Sequence, residues 1–283
     1  MKPHALVNGE PADRLSILDR GLQFGDGLFE TIAIENEKPL LWERHARRLS
    51  MGARRLSIAL ADPTTWQAEV FQLCRGIGKG VLKIIVTRGI SGRGYATNSN
   101  AAPTRILNVS PWPDYPVANE HDGIAAQLCR TRLSRNPELA GIKHLNRLEQ
   151  VLARMELDDS FAEGVMCSDT EHVIEGTMSN LFLLLDGVVH TPDLSDCGVA
   201  GVMREIILES LGQLEIPSRV GPVTLKELFQ AEEVFITNSL IGLWPIRRIV
   251  ESDQRTGREY PVGATTRKIQ VSIQGRYISG KRA

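Results

Sequence analysis

Three prolines fall within six residues at Pro111-Trp112-Pro113-Asp114-Tyr115-Pro116. Proline has no backbone N–H to give a ladder or a helix, so neither kind of element runs through this stretch. The chain is thereby divided, with an N-terminal domain expected over 1–111, a linker over 112–117 and a C-terminal domain over 118–283. A length of 283 residues fits about two domains, and a core of that size needs neither disulfides nor a structural metal.

In the N-terminal part, residues 5–36 alternate short apolar runs with the turn signals Asn8-Gly9 and Asp26-Gly27, predicting strands that lead into Phe29-Glu30-Thr31-Ile32-Ala33-Ile34. Helices are expected over 43–56 and 64–75, and strands over 81–87 and 106–109. After the linker the pattern predicts a strand over 124–132 and a helix ending near 158. Strands over 173–185 and 188–191 flank Asp186-Gly187, a two-residue hairpin signal. An amphipathic helix follows over 201–211 with Ile206, Ile207 and Leu211 inward, then strands over 234–237 and 244–249. The basic tail Lys281-Arg282 is expected to fray. Strands and helices in both halves make this an α/β chain of the mixed, α+β kind.

Charge excludes some partners. The 33 lysines and arginines balance 34 acidic residues, so nothing demands a nucleic acid. No apolar stretch approaches a membrane span, and the N-terminus lacks an apolar signal core, so a cytoplasmic location without a membrane partner is expected. Cys74, Cys129, Cys167 and Cys197 form no Cys-x-x-Cys pair and read as buried thiols in a reducing compartment. The six histidines show no metal-ligand spacing, and no metal is expected. Gly76-Ile77-Gly78-Lys79-Gly80 precedes a strand and not a helix, so it is no dinucleotide fingerprint.

Two short segments carry chemistry. In Leu139-Ala140-Gly141-Ile142-Lys143-His144, Lys143 stands just ahead of Leu145, Leu148, Leu152 and Met155, which recur at helical spacing. Asn146 with Glu149 reads as the N-cap of that helix and its N3 partner, so Lys143 precedes a helix and does not lie on its solvated face. In Ile174-Glu175-Gly176-Thr177, Glu175 heads a strand. A lysine amine can form a Schiff base with an aldehyde cofactor, and a carboxylate can keep a pyridine nitrogen protonated so that the ring accepts electrons. On residues alone, a lysine after Gly-Ile is more often a solvated surface group, and such a glutamate a satisfied turn carboxylate.

Longer motifs go further. Arg132-Leu133-Ser134-Arg135-Asn136-Pro137-Glu138 continuing through Leu152, and Gly80-Val81-Leu82-Lys83-Ile84-Ile85-Val86-Thr87-Arg88-Gly89-Ile90-Ser91-Gly92-Arg93-Gly94-Tyr95, resemble the aminodeoxychorismate lyases. Those lyases belong to the fold type IV pyridoxal-phosphate family, with the branched-chain and D-amino-acid aminotransferases. Gln23-Phe24-Gly25-Asp26-Gly27-Leu28-Phe29-Glu30-Thr31 and Val234-Phe235-Ile236-Thr237-Asn238-Ser239 extend the resemblance over almost the whole chain. It implies a two-domain fold like that of the D-amino-acid aminotransferases, with pyridoxal 5'-phosphate in the cleft between domains. It also implies a homodimer. The implied activity is conversion of 4-amino-4-deoxychorismate to 4-aminobenzoate and pyruvate in folate biosynthesis, with a D-amino-acid or branched-chain aminotransferase as the alternative.

The same resemblance assigns roles. Lys143 is the Schiff-base lysine and the general base, and Glu175 the partner of the pyridine nitrogen. Arg48, in His45-Ala46-Arg47-Arg48-Leu49, matches the phosphate-binding arginine, with Arg47 in its place if the register slips by one. The amides of Val202 and Met203, after Gly198-Val199-Ala200-Gly201, match a phosphate cup, and Ser239 a second phosphate contact. Thr31 stands where the lyases carry a threonine, a candidate for protonating the leaving group or positioning water. Arg93 matches the arginine for a substrate carboxylate, with Asn238 as a polar neighbour. On residues alone Arg44, Arg47, Arg48, Arg54 and Arg55 also read as a solvated basic face, and Thr31 as an ordinary strand former.

Overall fold

The computed structural model describes residues 5–97, 101–251 and 257–279; the tail Lys281-Arg282 lies outside the described residues. The chain divides into two units, Met1–Pro113 with Ile142–Asn146, and Asp114–Gly141 with Arg147–Ala283. The first boundary falls inside the proline-rich segment. The short stretch around Lys143, expected with the C-terminal domain, groups with the first unit instead.

The first unit contains β1 (Ala5–Val7), β2 (Glu10–Pro11), α1 (Arg20–Phe24), β3 (Gly27–Glu35), β4 (Lys38–Pro39), α2 (Trp42–Arg55), α3 (Pro63–Cys74), β5 (Lys79–Thr87) and β6 (Thr104–Ser110). Its strands form one sheet in the order β2-β1-β6-β5-β3-β4, antiparallel at every neighbouring pair. Asn8-Gly9 joins β1 to β2 with positive φ at both residues, as a two-residue hairpin of this hand requires. β3 and β5 pair from Gly27↔Thr87 to Glu35↔Lys79. Strand alternation carries Leu28, Ile32 and Ile34 of β3 to the buried face, and Glu30 falls in the same phase. The buried side of α2, with His45, Leu49 and Ala53, packs on β3.

The second unit contains α4 (Ala118–His121), β7 (Ile124–Leu133), α5 (Leu148–Met155), β8 (Glu163–Ser168), β9 (Val173–Gly176), β10 (Asn180–Leu185), β11 (Val188–Pro192), α6 (Val202–Gln213), β12 (Ser218–Gly221), α7 (Leu225–Gln230), β13 (Glu233–Asn238), β14 (Gly242–Glu251), β15 (Gly257–Glu259) and α8 (Ala264–Ser279). The strands run in the order β12-β11-β10-β13-β14-β7-β8-β9, with β15 on β14, and β9 returns to pair with β10. Six strands therefore close into a ring, and the closing pair is Asn180↔Glu175. Its apolar lining includes Val165, Leu181, Val234, Ile236 and Ile246, and Phe182 stacks on Phe235 with centroids 5.1 Å apart. Such a pair adds about 1 kcal/mol beyond its area burial. No helix of the described residues is long and apolar enough to cross a membrane.

Two expected elements change. The strand expected over 173–185 is two strands, because the buried Glu163 carboxylate gathers the chain between them. It accepts from the backbone N–H of Thr177 at 3.0 Å, from the Thr177 hydroxyl, and from Ser179 Oγ at 2.6 Å. The Asp186-Gly187 turn then forms as expected, with φ of 50° and 74°. The helix after Lys143 starts later than its expected cap. Its N-cap is Arg147, without a side-chain hydrogen bond, while Asn146 donates to the Gly25 carbonyl at 3.2 Å and Glu149 accepts from the Ser134 amide at 3.0 Å. Pairing of the lysine segment with β3 keeps the backbone extended there, which delays the helix. Nor does the apolar stripe of α5 face a core: Leu148 and Met155 are each 76% exposed, and only Ala153 of this helix is buried.

Candidate functional site

In the first unit the lysine segment lies along the start of β3. The Phe29 amide donates to the Lys143 carbonyl at 2.9 Å and the Leu145 amide to the Gly27 carbonyl at 3.0 Å, so the backbone of Lys143 is held as in a short antiparallel strand. Its side chain is half-buried, and Nζ stands 4.3 Å from the centroid of the Phe29 ring. Thr31, two residues on, shares that face of β3. Lys83, which the sequence reading did not single out, pairs opposite Thr31 and brings its Nζ to 5.4 Å from the same ring.

Behind that face is a buried ionic group. Glu30, 1% exposed, accepts from Arg48 Nε at 2.8 Å and Nη2 at 2.5 Å, and pairs with His45 Nδ1 at 2.7 Å. His45 and Arg48 are one helical turn apart on α2, so both reach one strand residue. Arg47, the alternative to Arg48, is exposed. Burial works to raise the Glu30 carboxyl, and the charges and hydrogen bonds of Arg48 and His45 overcome it, holding it at about 2. Burial pushes His45 below its ordinary 6.5 against the pull of Glu30, and the Arg48 and Lys143 charges add to that. His45 is therefore neutral near pH 7, with its proton on Nδ1 facing the carboxylate. Its buried Nε2 has no hydrogen-bond partner among the described residues. The signal for Glu30 was present in the sequence, since it shares the phase of Leu28, Ile32 and Ile34.

Arg93 stands apart from this group, exposed in the loop after β5. That loop is held by Arg20, a second residue the sequence reading missed.

In the second unit Glu175 is 4% exposed at the strand junction that closes the ring. Its Oε2 accepts from the Val199 amide at 2.8 Å, and Gln150 Nε2 lies 3.5 Å from Oε1. The Val199 carbonyl in turn accepts from Asn180 Nδ2 at 2.8 Å. Gly198 makes this approach possible: its φ is 86°, and a Cβ there would meet Leu194 at 2.8 Å and Glu175 Oε2 at 3.3 Å. The carboxylate is thus fixed from the backbone side. Arg147 brings positive charge toward it; burial lowers the Arg147 pKa, and the Glu175 charge opposes that.

Two residues beyond Val199 the chain enters α6. Gly201 is its N-cap and offers no side chain, so the amides of Val202 and Met203 open the helix without an intrahelical acceptor. Their side chains are buried, and amides at a helix N-terminus favour an anion. Arg204 turns to β11, donating to the Pro192 carbonyl at 3.0 Å. Asn238 ends β13. Its Oδ1 accepts from the amides of Leu240 and Ile241 and its Nδ2 donates to the Met178 carbonyl at 3.1 Å, so its amide shapes the turn that carries Ser239.

The groups present fit pyridoxal 5'-phosphate. They include the half-buried primary amine of Lys143, the buried Glu175 carboxylate held by a backbone amide, and a helix N-terminus without a side-chain cap.

Comparison with known proteins is consistent with these groups. A model of the family described as amino-transferase class IV matches residues 27–249. An aminodeoxychorismate lyase of Vibrio harveyi is 37% identical over 271 residues, covering 94% of this chain and 98% of its own. The crystal structure of 4-amino-4-deoxychorismate lyase from Pseudomonas aeruginosa superposes with a TM-score of 0.91 at 48% identity, over 98% of this chain and 100% of that one. A branched-chain amino acid aminotransferase structure from Escherichia coli, at 21% identity and a TM-score of 0.83 over 100% and 97%, shares the fold.

Proposed function

The chain belongs to the amino-transferase class IV family, and we propose that it is a pyridoxal-phosphate-dependent carbon–oxygen lyase converting 4-amino-4-deoxychorismate to 4-aminobenzoate and pyruvate. Its likeness to lyases of that name over nearly the whole chain supports the reading. The observation that carries it is the face of β3 where the Lys143 amine stands 4.3 Å from the centroid of the Phe29 ring, a face that Thr31 shares by strand alternation. Elimination needs a base for one bond and a proton source for the other, and this face offers both.

Lys143 would hold the cofactor through its amine and, as a free amine, would take the proton from ring carbon C4 of the substrate. Pyridoxal 5'-phosphate, when bound, supplies the electron sink for the charge left on that carbon. Glu175, fixed by the Val199 amide, would keep the cofactor nitrogen protonated. The enolpyruvyl oxygen leaves C3 with the bonding pair and receives a proton, for which Thr31 is the donor or holds the donating water. Loss of that group makes the ring aromatic. Arg48, the Val202 and Met203 amides and Ser239 take the phosphate. Arg93 takes a substrate carboxylate, the ammonium of Lys83 adds positive charge near Phe29, and Asn238 contributes through the turn it builds. The reading includes two domains joined over 112–117, a homodimer, and a cytoplasmic location, which four buried free thiols support.

The test is to incubate purified protein with pyridoxal 5'-phosphate and enzymatically generated 4-amino-4-deoxychorismate, with D-alanine and L-leucine plus 2-oxoglutarate in parallel. Equimolar 4-aminobenzoate and pyruvate, lost in Lys143→Ala, are expected. Amine transfer without 4-aminobenzoate would make the protein an aminotransferase instead.

A further inference from the structure

Arg20 is 3% exposed, and its guanidinium is directed outward into an exposed loop. Nη1 donates to the Gly94 carbonyl at 2.9 Å and reaches Ser91 Oγ at 3.3 Å and the Ala96 carbonyl at 3.5 Å, while Nη2 meets the Tyr95 carbonyl at 3.3 Å. Three successive carbonyls of one loop thus converge on one buried cation. The other edge of the group is fixed: Nε donates to Asp26 Oδ2 at 2.8 Å, and Arg88 holds the same carboxylate at 2.8 and 3.0 Å. The Phe24 ring lies 4.8 Å beneath the guanidinium and 5.4 Å from the Tyr95 ring.

Among its described residues the loop brings no buried side chain of its own over 92–97. Residues 92–97 are all exposed, Gly94 has a φ of 79°, and a Cβ at Gly92 or Gly94 would meet nothing within 4 Å. A glycine-flanked segment with no buried side chain gains nothing for the core by being ordered, and ordering it opposes chain entropy. What such an anchor fixes is the position of Arg93, the one charged side chain of residues 91–97.

We propose that Arg20 is a positioning residue for substrate recognition, its buried guanidinium presetting the loop that carries Arg93 so that Arg93 meets an anionic group of the substrate. This rests on the reading of Arg93 as the substrate-carboxylate arginine. Lysine in place of Arg20 keeps the charge but, as a single ammonium, cannot span Asp26 and three carbonyls at once.

The experiment compares wild type, Arg20→Lys, Arg93→Ala and the double variant as holoenzymes. Arg20→Lys is expected to raise KM roughly tenfold with kcat within about threefold. Its cofactor occupancy is expected to match wild type. The double variant is expected to have the KM of Arg93→Ala alone, since Arg20 acts through Arg93. Amide hydrogen exchange over 91–96 is expected to quicken in Arg20→Lys while β3 and β5 keep their protection. If Arg20→Lys does not fold, Phe24→Leu, which removes the ring between the guanidinium and Tyr95, is read in the same way. An unchanged KM, or effects of Arg20→Lys and Arg93→Ala that add, would overturn the proposal. A wild type that forms no 4-aminobenzoate would overturn the underlying lyase reading, and the exchange measurement would still decide whether Arg20 holds the loop.

Discussion

Glu30 sits at the centre of the first unit's ionic group, with Arg48 on both of its oxygens and His45 on one. A carboxylate buried this deeply persists as an anion only through those partners, so its replacement by the isosteric amide tests the whole group. Glu30→Gln is expected to destabilise the protein by about 3 kcal/mol at pH 7 and to weaken cofactor binding, because Arg48 loses the negative charge and one of the two oxygens that orient it. The pH dependence has a definite sign. A carboxyl held at about 2 in the folded chain and near 4.5 when unfolded contributes stability above pH 4.5 that is lost as pH falls toward 2. The gap between wild type and Glu30→Gln in urea unfolding should therefore shrink by about half between pH 7 and pH 3. His45 adds in the same direction: with its pKa below 6.5, the unfolded chain takes the proton first and stability falls as pH drops through that range. A gap that stays constant with pH, or unchanged cofactor binding, would remove Glu30 from this role.

At the scale of elements, the junction of β9, β10 and the approach to α6 is built on one glycine. Gly198 and Gly187 both have positive φ, of 86° and 74°, but only at Gly198 is the space beside the backbone filled, by Leu194, Ile174 and Glu175. Alanine at Gly187 meets nothing and is expected to cost about 1 kcal/mol from backbone strain alone. Gly198→Ala combines that strain with displacement of Glu175 and is expected to cost about 2–3 kcal/mol and to weaken cofactor binding roughly tenfold. Urea unfolding and cofactor titration of the two variants side by side check this; equal effects would mean that strain and not the approach to Glu175 decides. The same junction shows where sequence reading stops. Asp186-Gly187 was legible because a two-residue turn is local chemistry, and the burial of Ile206, Ile207 and Leu211 because helical period is local too. The break between β9 and β10 was not, because it depends on Glu163, 14 residues before Thr177. Asn146 and Glu149 matched a helix cap locally, yet partners 121 and 15 residues away took their side chains. Lys143 and Glu175 stood out by motif, whereas the Val199 amide that holds Glu175 and the pairing of Glu30 with Arg48 and His45 arise only through contacts in space.

For the whole molecule, the outward stripe of α5 is the feature a single chain leaves unexplained. Leu148, Val151, Leu152 and Met155 repeat at positions i, i+3, i+4 and i+7, the pattern of a helix face that packs, yet they are 76, 50, 53 and 76% exposed. Four apolar side chains in one stripe on a helix whose opposite side already rests on β7 and β8 call for a second surface. A copy of the same chain, as the proposed homodimer requires, would cover it with a two-fold contact in which the stripe meets its counterpart or a neighbouring patch. Light scattering on the eluting protein is expected to give twice the 31.3 kDa chain mass. Leu152→Glu places a charge in the middle of the stripe, where the monomer has solvent, so it is expected to leave the fold intact by circular dichroism while shifting the protein to monomer at micromolar concentration. A dimer that survives Leu152→Glu would place the contact elsewhere, and a wild type that elutes as monomer would leave α5 facing water and remove the homodimer from the reading. Activity measured on the monomeric variant then separates a dimer that completes the site from one that only covers α5: loss of turnover with the cofactor still bound means the second chain supplies groups to the substrate, and retained turnover means it does not.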